Sequence, residues 1–413
     1  MAWRVTGPSP SSKFHMRRLL DFLGGPWRAV LVLGVTQILA WGTLFYPPVL
    51  MMPLIAADRG WSLSFSMAGF SLGLLVSGAV APTIGGWIDR FGGHVVMACG
   101  SLTGALALVL LVYAAHPAAY LAVWVILGIA IAANLYDPAF ATLGRIFGAG
   151  ARRPITYLTL AGGFASTASW PATQFSLTIT DWRGTYLVFA EVLALVAAPL
   201  HAFALPRSRA VAPAPVAGVA PSTPALLPAK GLAFLLVAAG FALYAFVPSG
   251  LAAHLLAMFA RAGIDPATAV IIGALFGPSQ VAARLCELFF AGNLHPLNLA
   301  RFSIGLMLAG FLLLAIFGFA LPAAIAFAVM FGAANGLLTI ARGALPLALF
   351  GATGYGRLLG RIAKPFQVMQ AIAPLALAFV VERVSDPAAL AVTACFALAA
   401  MICFLAIRRP AIA

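Results

Sequence analysis

From residue 27 onward the chain is a succession of apolar runs of about 20 residues or more, the length a helix needs to cross roughly 30 Å of hydrocarbon. The interruptions between them are short and rich in Arg, Asp, Gly and Pro. Reading each run as one membrane helix gives twelve, beginning at about residues 27, 63, 95, 118, 154, 184, 230, 267, 299, 322, 361 and 386. One stretch breaks the rhythm. "LPRSRAVAPAPVAGVAPSTPALLPAK" (205–230) is dominated by Pro and Ala and reads as a semi-extended linker. The predicted organisation is a polar tail (1–26), a six-helix half (27–204), a linker (205–229), a second six-helix half (230–407) and a short tail (408–413). A shift of 203 residues brings Trp27 onto Lys230 and "FGAGARRP" (147–154) onto "FGATGYGR" (350–357), the phase expected of a duplicated six-helix unit. The expected fold is therefore an all-α membrane protein with twelve transmembrane helices in two six-helix pseudo-repeats.

Composition supports lipid as the solvent. The chain is 63% hydrophobic over 413 residues, with a mean hydropathy of +1.04, which no water-soluble fold could bury. The formal net charge of +14 has a topological explanation. With a cytoplasmic N-terminus, eighteen Lys and Arg residues fall on the cytoplasmic side, and only Arg59, Arg183, Arg261 and Arg383 fall opposite. That bias places both termini in the cytoplasm and the protein in the cytoplasmic (inner) membrane. Nucleic acid is not needed to explain the basic charge. The first apolar run is too long for a signal-peptide core and no small-residue cleavage site follows it, so it reads as a retained helix. Cys99, Cys286, Cys395 and Cys403 lie inside predicted spans without paired spacing, which argues against disulfides and a metal cluster.

One charged decapeptide, "GGWIDRFGGH" (85–94), falls between the second and third runs. Here the sequence resembles the major facilitator superfamily, whose signature in this loop is Gly-x-x-x-Asp-Arg-x-Gly-x-Arg. Gly85, Asp89, Arg90 and Gly92 match it, and His94 stands at the last basic position. The resemblance implies a conformational latch on the cytoplasmic face, with the aspartate capping a helix of the second half. The first half is most similar to the monocarboxylate-porter branch, through "AWGTLFYPPVL", "RGWSLS", "VAPTIGGWIDRFGG", "YDPAF" and "DWRGTYL". That branch moves small organic anions. Its eighth-helix arginine corresponds to Arg284, but Gln280 stands where the branch has an aspartate, and Pro48 stands where some members carry a lysine. Arg284 with Lys364 also resembles the cation pair of oxalate/formate exchangers.

Charge in a bilayer costs at least roughly 2.5–3.5 kcal/mol at a helix centre, so each instance needs a reason. Arg284, Gln280 and Glu287 share one face of the eighth helix, where Glu287 could neutralise Arg284 until an anion arrives, or the two could form a structural ion pair. Asn335 and Arg342 share a face of the tenth, with headgroup contact the favoured account of Arg342. In the fourth helix Asn134 and Tyr136 come just before Asp137, which precedes Pro138 and is either a proton carrier or part of the charge network around the decapeptide. Glu191 in the sixth helix is a further proton-coupling candidate, alongside Glu287 and Asp137. Gln37, Trp41 and Tyr46 of the first helix, Gln174 of the fifth, Tyr244 of the seventh, and Lys364 and Gln367 of the eleventh complete the expected cavity lining.

No phosphate-cradling loop, metal cluster or nucleophile–base arrangement appears outside the runs, so an enzyme is not expected and no cofactor is implied. The expected function is secondary active transport by alternating access, moving a small organic anion across the membrane. Protons or a counter-anion are the candidate coupling partners, and a monomer in the lipid bilayer is the expected form. An exporter of a small toxic compound is the alternative, and a non-transporting sensor is less favoured.

Overall fold

The computed structural model describes residues 25–207 and 226–408. The expected tails and most of the linker (1–24, 208–225 and 409–413) lie outside the described residues. Twelve helical spans fill the rest. They are α1 (Arg28–Arg59), α2 (Leu63–Phe91), α3 (Gly93–Tyr113), α4 (Pro117–Asn134 and Tyr136–Phe147), α5 (Arg152–Gly162 and Ala165–Ile179) and α6 (Trp182–Ala204). The second set is α7 (Leu232–Arg261), α8 (Pro266–Ala274 and Phe276–Phe290), α9 (Pro296–Phe317), α10 (Leu321–Phe350), α11 (Tyr355–Arg383) and α12 (Asp386–Ala406). The stretch Pro117–Ile179 is apolar over 63 residues. At 1.5 Å per residue it would run to about 95 Å, so it crosses twice, turning back at Gly148–Ala151.

The two halves keep a common register. Leu63, Gly93 and Arg152 open α2, α3 and α5, and their counterparts Pro266, Pro296 and Tyr355 stand 203 residues later. The same offset relates two bidentate ion pairs. Arg183 at the start of α6 clamps Asp58 at the end of α1, at 3.0 and 2.6 Å. Arg261 at the end of α7 clamps Asp386 at the start of α12, at 2.8 and 2.7 Å. The positions correspond while the signs are exchanged, so each half staples its own first and last helix on the same face.

Prolines break the helices at chosen points, and the freed carbonyls find donors. Pro138 cannot donate to Asn134, whose carbonyl is instead taken by Gln37 Nε2 at 2.6 Å. Pro374 likewise frees Gln370, whose carbonyl accepts from Ser249 Oγ at 2.6 Å. α1 relaxes through a π turn at Trp41–Phe45 before Pro47 and Pro48. The observed start of α11 at Tyr355 precedes the expected 361, because its first turn, "YGRLLG", is too polar and glycine-rich to read as membrane helix. Contact with α2 supplies what composition lacks.

Both described ends lie on one face, hereafter the terminal face, and there the halves meet. α2 packs along α11, α4 against α10 and α11, and α5 against α8 and α10. The approach of α2 to α11 is backbone to backbone. A Cβ on Gly85 would strike the Gly356 carbonyl, and one on Gly360 would strike that of Ala81. On the opposite face Pro48–Arg59, Ala165–Ile179 and Pro266–Ala274 pack against helices of their own half. The bundle is thus closed on the terminal face and splayed on the other.

Candidate functional site

The seal on the terminal face starts from the decapeptide. Gly92 adopts φ +88°, the conformation that allows α2 to turn directly into α3. Asp89, at the end of α2, accepts from the backbone N–H groups of Gly356 and Arg357 at 2.9 Å each. Those are free N–H groups of the first turn of α11, so the carboxylate caps a helix of the other half. Arg145 of α4 donates to the Asp89 carbonyl. Arg90 lies over Phe91 at 5.0 Å, and His94 sits against Gly92.

Above this seal lies the cation that the sequence singled out. Arg284 of α8 is 2% exposed. Its Nη1 donates to the Thr159 carbonyl of α5 at 2.7 Å, Nη2 to Gln280 Oε1 at 3.2 Å, and Nε to the Gly336 carbonyl of α10 at 3.3 Å. Gly163 has no side chain where Nη1 lies; a Cβ there would strike it. Tyr46, Tyr136 and Tyr244 stand within electrostatic reach of this guanidinium. Trp41 packs on Tyr136 and Tyr46 with ring centroids 5.1 and 5.8 Å apart, and Tyr244 donates to Asn335 Oδ1. Gln174 shares a stripe of α5 with Gly163 and Trp170, about 16 Å nearer the splayed face. Together these residues gather phenols and amides around Arg284 between the halves, with Arg342 also within electrostatic reach of Tyr136 and Tyr244.

Glu287 does not neutralise Arg284, contrary to expectation. It is 3% exposed and pairs with Arg152 of α5 at 2.7 Å, with Thr156 Oγ1 donating at 3.2 Å. Among the described residues Arg284 therefore has no carboxylate partner. Arg342 does not reach for headgroups either. It is buried, paired with Asp137 of α4 at 2.9 Å and laid over Phe366 at 4.3 Å. Asp137 thus braces α4 against α10 across the seam.

Several expected lining residues sit elsewhere. Gln37 and Asn134 are 0% exposed and satisfy one another's region inside the first half. Gln37 accepts from Trp41 Nε1 at 3.1 Å, and Asn134 Oδ1 accepts from Ser101 at 2.7 Å. Gln367 lies in the α2–α11 seam, 3.4 Å from Ser77 Oγ. Lys364 falls within 20° of Leu375 on the helical wheel, on the strip of α11 that carries exposed Ile372, Leu375 and Phe379. It faces the membrane rather than the chamber. Glu191 shares a strip of α6 with exposed Val188 and Leu195. Arg152 and Thr156 were not anticipated. Their signal was depth, since the first turn of α5 and the last of α8 reach the same level of the membrane.

Two pseudo-equivalent six-helix halves that meet on one face have the architecture of the major facilitator fold. Comparison with solved structures gives the same fold. The human organic anion transporter MFSD10 (TETRAN) aligns with a TM-score of 0.69 at 17% identity, covering 92% of this chain and 99% of that one. The proton:xylose symporter XylE bound to 6-bromo-6-deoxy-D-glucose aligns at 0.67 and 12%, covering 94% and 96%. FucP in the outward conformation aligns at 0.66 and 10%, covering 91% and 97%. No protein-family model matches the sequence, and neither does any curated protein.

Proposed function

We propose that this protein is a secondary transporter that carries a small organic anion by alternating access, with Arg284 as the principal contact for the negative group. The supporting observation is the uncompensated guanidinium. A buried charge held only by carbonyl and amide oxygens remains costly, and a counter-ion offsets that cost. A carboxylate would accept the same N–H groups in charge-assisted bonds, roughly twice as strong as neutral ones. Tyr46, Tyr136 and Asn335 add neutral donors around it, and the aromatic faces of Trp41 and Tyr136 suit an organic body. The structural likeness to an organic anion transporter agrees with this reading without deciding it.

The splayed face corresponds to the outside if the termini are cytoplasmic, as the distribution of basic residues favours. Exchange of one anion for another is the favoured coupling, because Asp137 and Glu287, the two acids near the chamber, are both engaged with arginines. The test is a thermal-shift screen of purified protein against mono- and dicarboxylates, followed by uptake of any stabilising acid into proteoliposomes. Arg284→Ala should abolish both the shift and the uptake while leaving folded protein. Unchanged uptake by that variant would refute the assignment, and uptake that collapses with a protonophore would refute the exchange.

A further inference from the structure

A second cavity, of about 550 Å³, lies outside the chamber, between α1 and the first piece of α5. It is lined by Trp27, Leu31, Val35, Ile38, Tyr157 and Ala161, with Gly34 at its floor. Leu31 and Val35 are each 49% exposed, on the part of α1 nearer the terminal face, where the two halves are closed on one another. The groove therefore opens sideways into the membrane. From Trp27 to Ile38 it runs eleven residues, about 16 Å, which matches one leaflet of a hydrocarbon core roughly 30 Å thick. The small residues Gly34 and Ala161 let the two helices meet at the floor and leave the recess above them.

The end of this groove at the terminal face is basic. Arg28 precedes Leu31 and Val35 by one and two turns on α1, and Arg153 precedes Tyr157 by one turn on α5. Neither has a carboxylate partner among the described residues, and the Nε of Arg28 is buried without any hydrogen-bond acceptor. Trp27 meets Tyr157 at 5.9 Å and Phe147 at 5.3 Å, an aromatic collar at the level where headgroup and hydrocarbon meet. An apolar channel one leaflet deep, headed by two unpaired guanidiniums, has the length and polarity of a single membrane lipid. We propose that this groove is a binding site for one anionic phospholipid of the leaflet on the terminal face. An acyl chain lies between α1 and α5, and the phosphate is held by Arg28 and Arg153.

The test is native mass spectrometry of the full-length protein in detergent with equimolar phosphatidylglycerol and phosphatidylcholine. The unmodified protein retains one phosphatidylglycerol in preference to phosphatidylcholine. R28Q/R153Q lowers that retention about thirtyfold, at about fivefold for each arginine near the membrane surface. Val35→Trp, which fills the groove from an exposed position, lowers retention of both lipids. R90Q/R357Q, on the same face but in the α2–α11 seam, leaves it unchanged. Equal retention of the two lipids overturns the proposal, as does unaltered retention in R28Q/R153Q or in Val35→Trp. An equal loss in R90Q/R357Q overturns it in favour of diffuse surface charge, and a protein dimer that Val35→Trp dissolves overturns it in favour of a second copy.

Discussion

Asp89→Asn should loosen the seal on the terminal face by an amount that follows from the geometry. The carboxylate accepts two backbone N–H groups at 2.9 Å, each bond to a charged group contributing about 1.5–3 kcal/mol. The asparagine oxygen can take one of them as a neutral bond, at about 1 kcal/mol, and the favourable charge at the N-terminus of α11 is lost. Sparing the desolvation of a half-buried carboxylate returns part of this, so the net weakening is about 2 kcal/mol, roughly thirtyfold in a two-state equilibrium. A form open on the terminal face at about 1% would rise to about a quarter of the molecules. Spin labels at Ala149 and Asn293, in loops of different halves on that face, report the change by pulsed electron resonance. All four native cysteines must first be replaced, since three of them are exposed. The expected result is a second, longer distance population in Asp89→Asn. An unchanged distance distribution would refute the cap as an element of closure.

Gly85→Ala pushes a methyl group into the Gly356 carbonyl, so cysteine cross-linking between positions 77 and 367 should fall sharply while the fold persists; undiminished cross-linking contradicts the backbone seam. Arg152→Ala leaves the Glu287 carboxylate buried and unpaired, a cost of about 3 kcal/mol. R152A/E287Q should recover much of the lost thermal stability, and equal instability of the two forms rules out the pair as described. Gly163→Val displaces the Arg284 guanidinium and overpacks the site by about 1–3 kcal/mol. An anion that stabilises the unmodified protein should then give no thermal shift, and a full-sized shift would place the anion elsewhere.

Most of the fold was legible because lipid imposes a coarse rule: apolar runs of spanning length must be helices, and the polar linker between the sixth and seventh had to separate them. The latch was readable from "GGWIDRFGGH", since an Asp–Arg pair between glycines is so unlike its surroundings. Arg284 stood out by its cost. Its partners did not, because Glu287 lies three residues away on the same helix and was the nearer candidate in sequence. Arg152, which holds Glu287, is 135 positions distant and looked like an ordinary topology charge. Asp137 and Arg342 were hidden in the same way, in different halves at a depth that only packing equates. Gln37 illustrates another limit. An amide in a membrane helix serves equally well as cavity lining or as donor to a proline-freed carbonyl, and only the placement of Asn134 decides.

The Arg284–Thr159 bond has one more consequence. The donor belongs to α8 and the acceptor to α5, so the same N–H group that would greet a solute also ties the two halves together. A guest oxygen and the Thr159 carbonyl compete for it. Occupancy and closure of the seam are therefore set against each other at a single atom, and loading the chamber would subtract one rung from the ladder that keeps the terminal side shut.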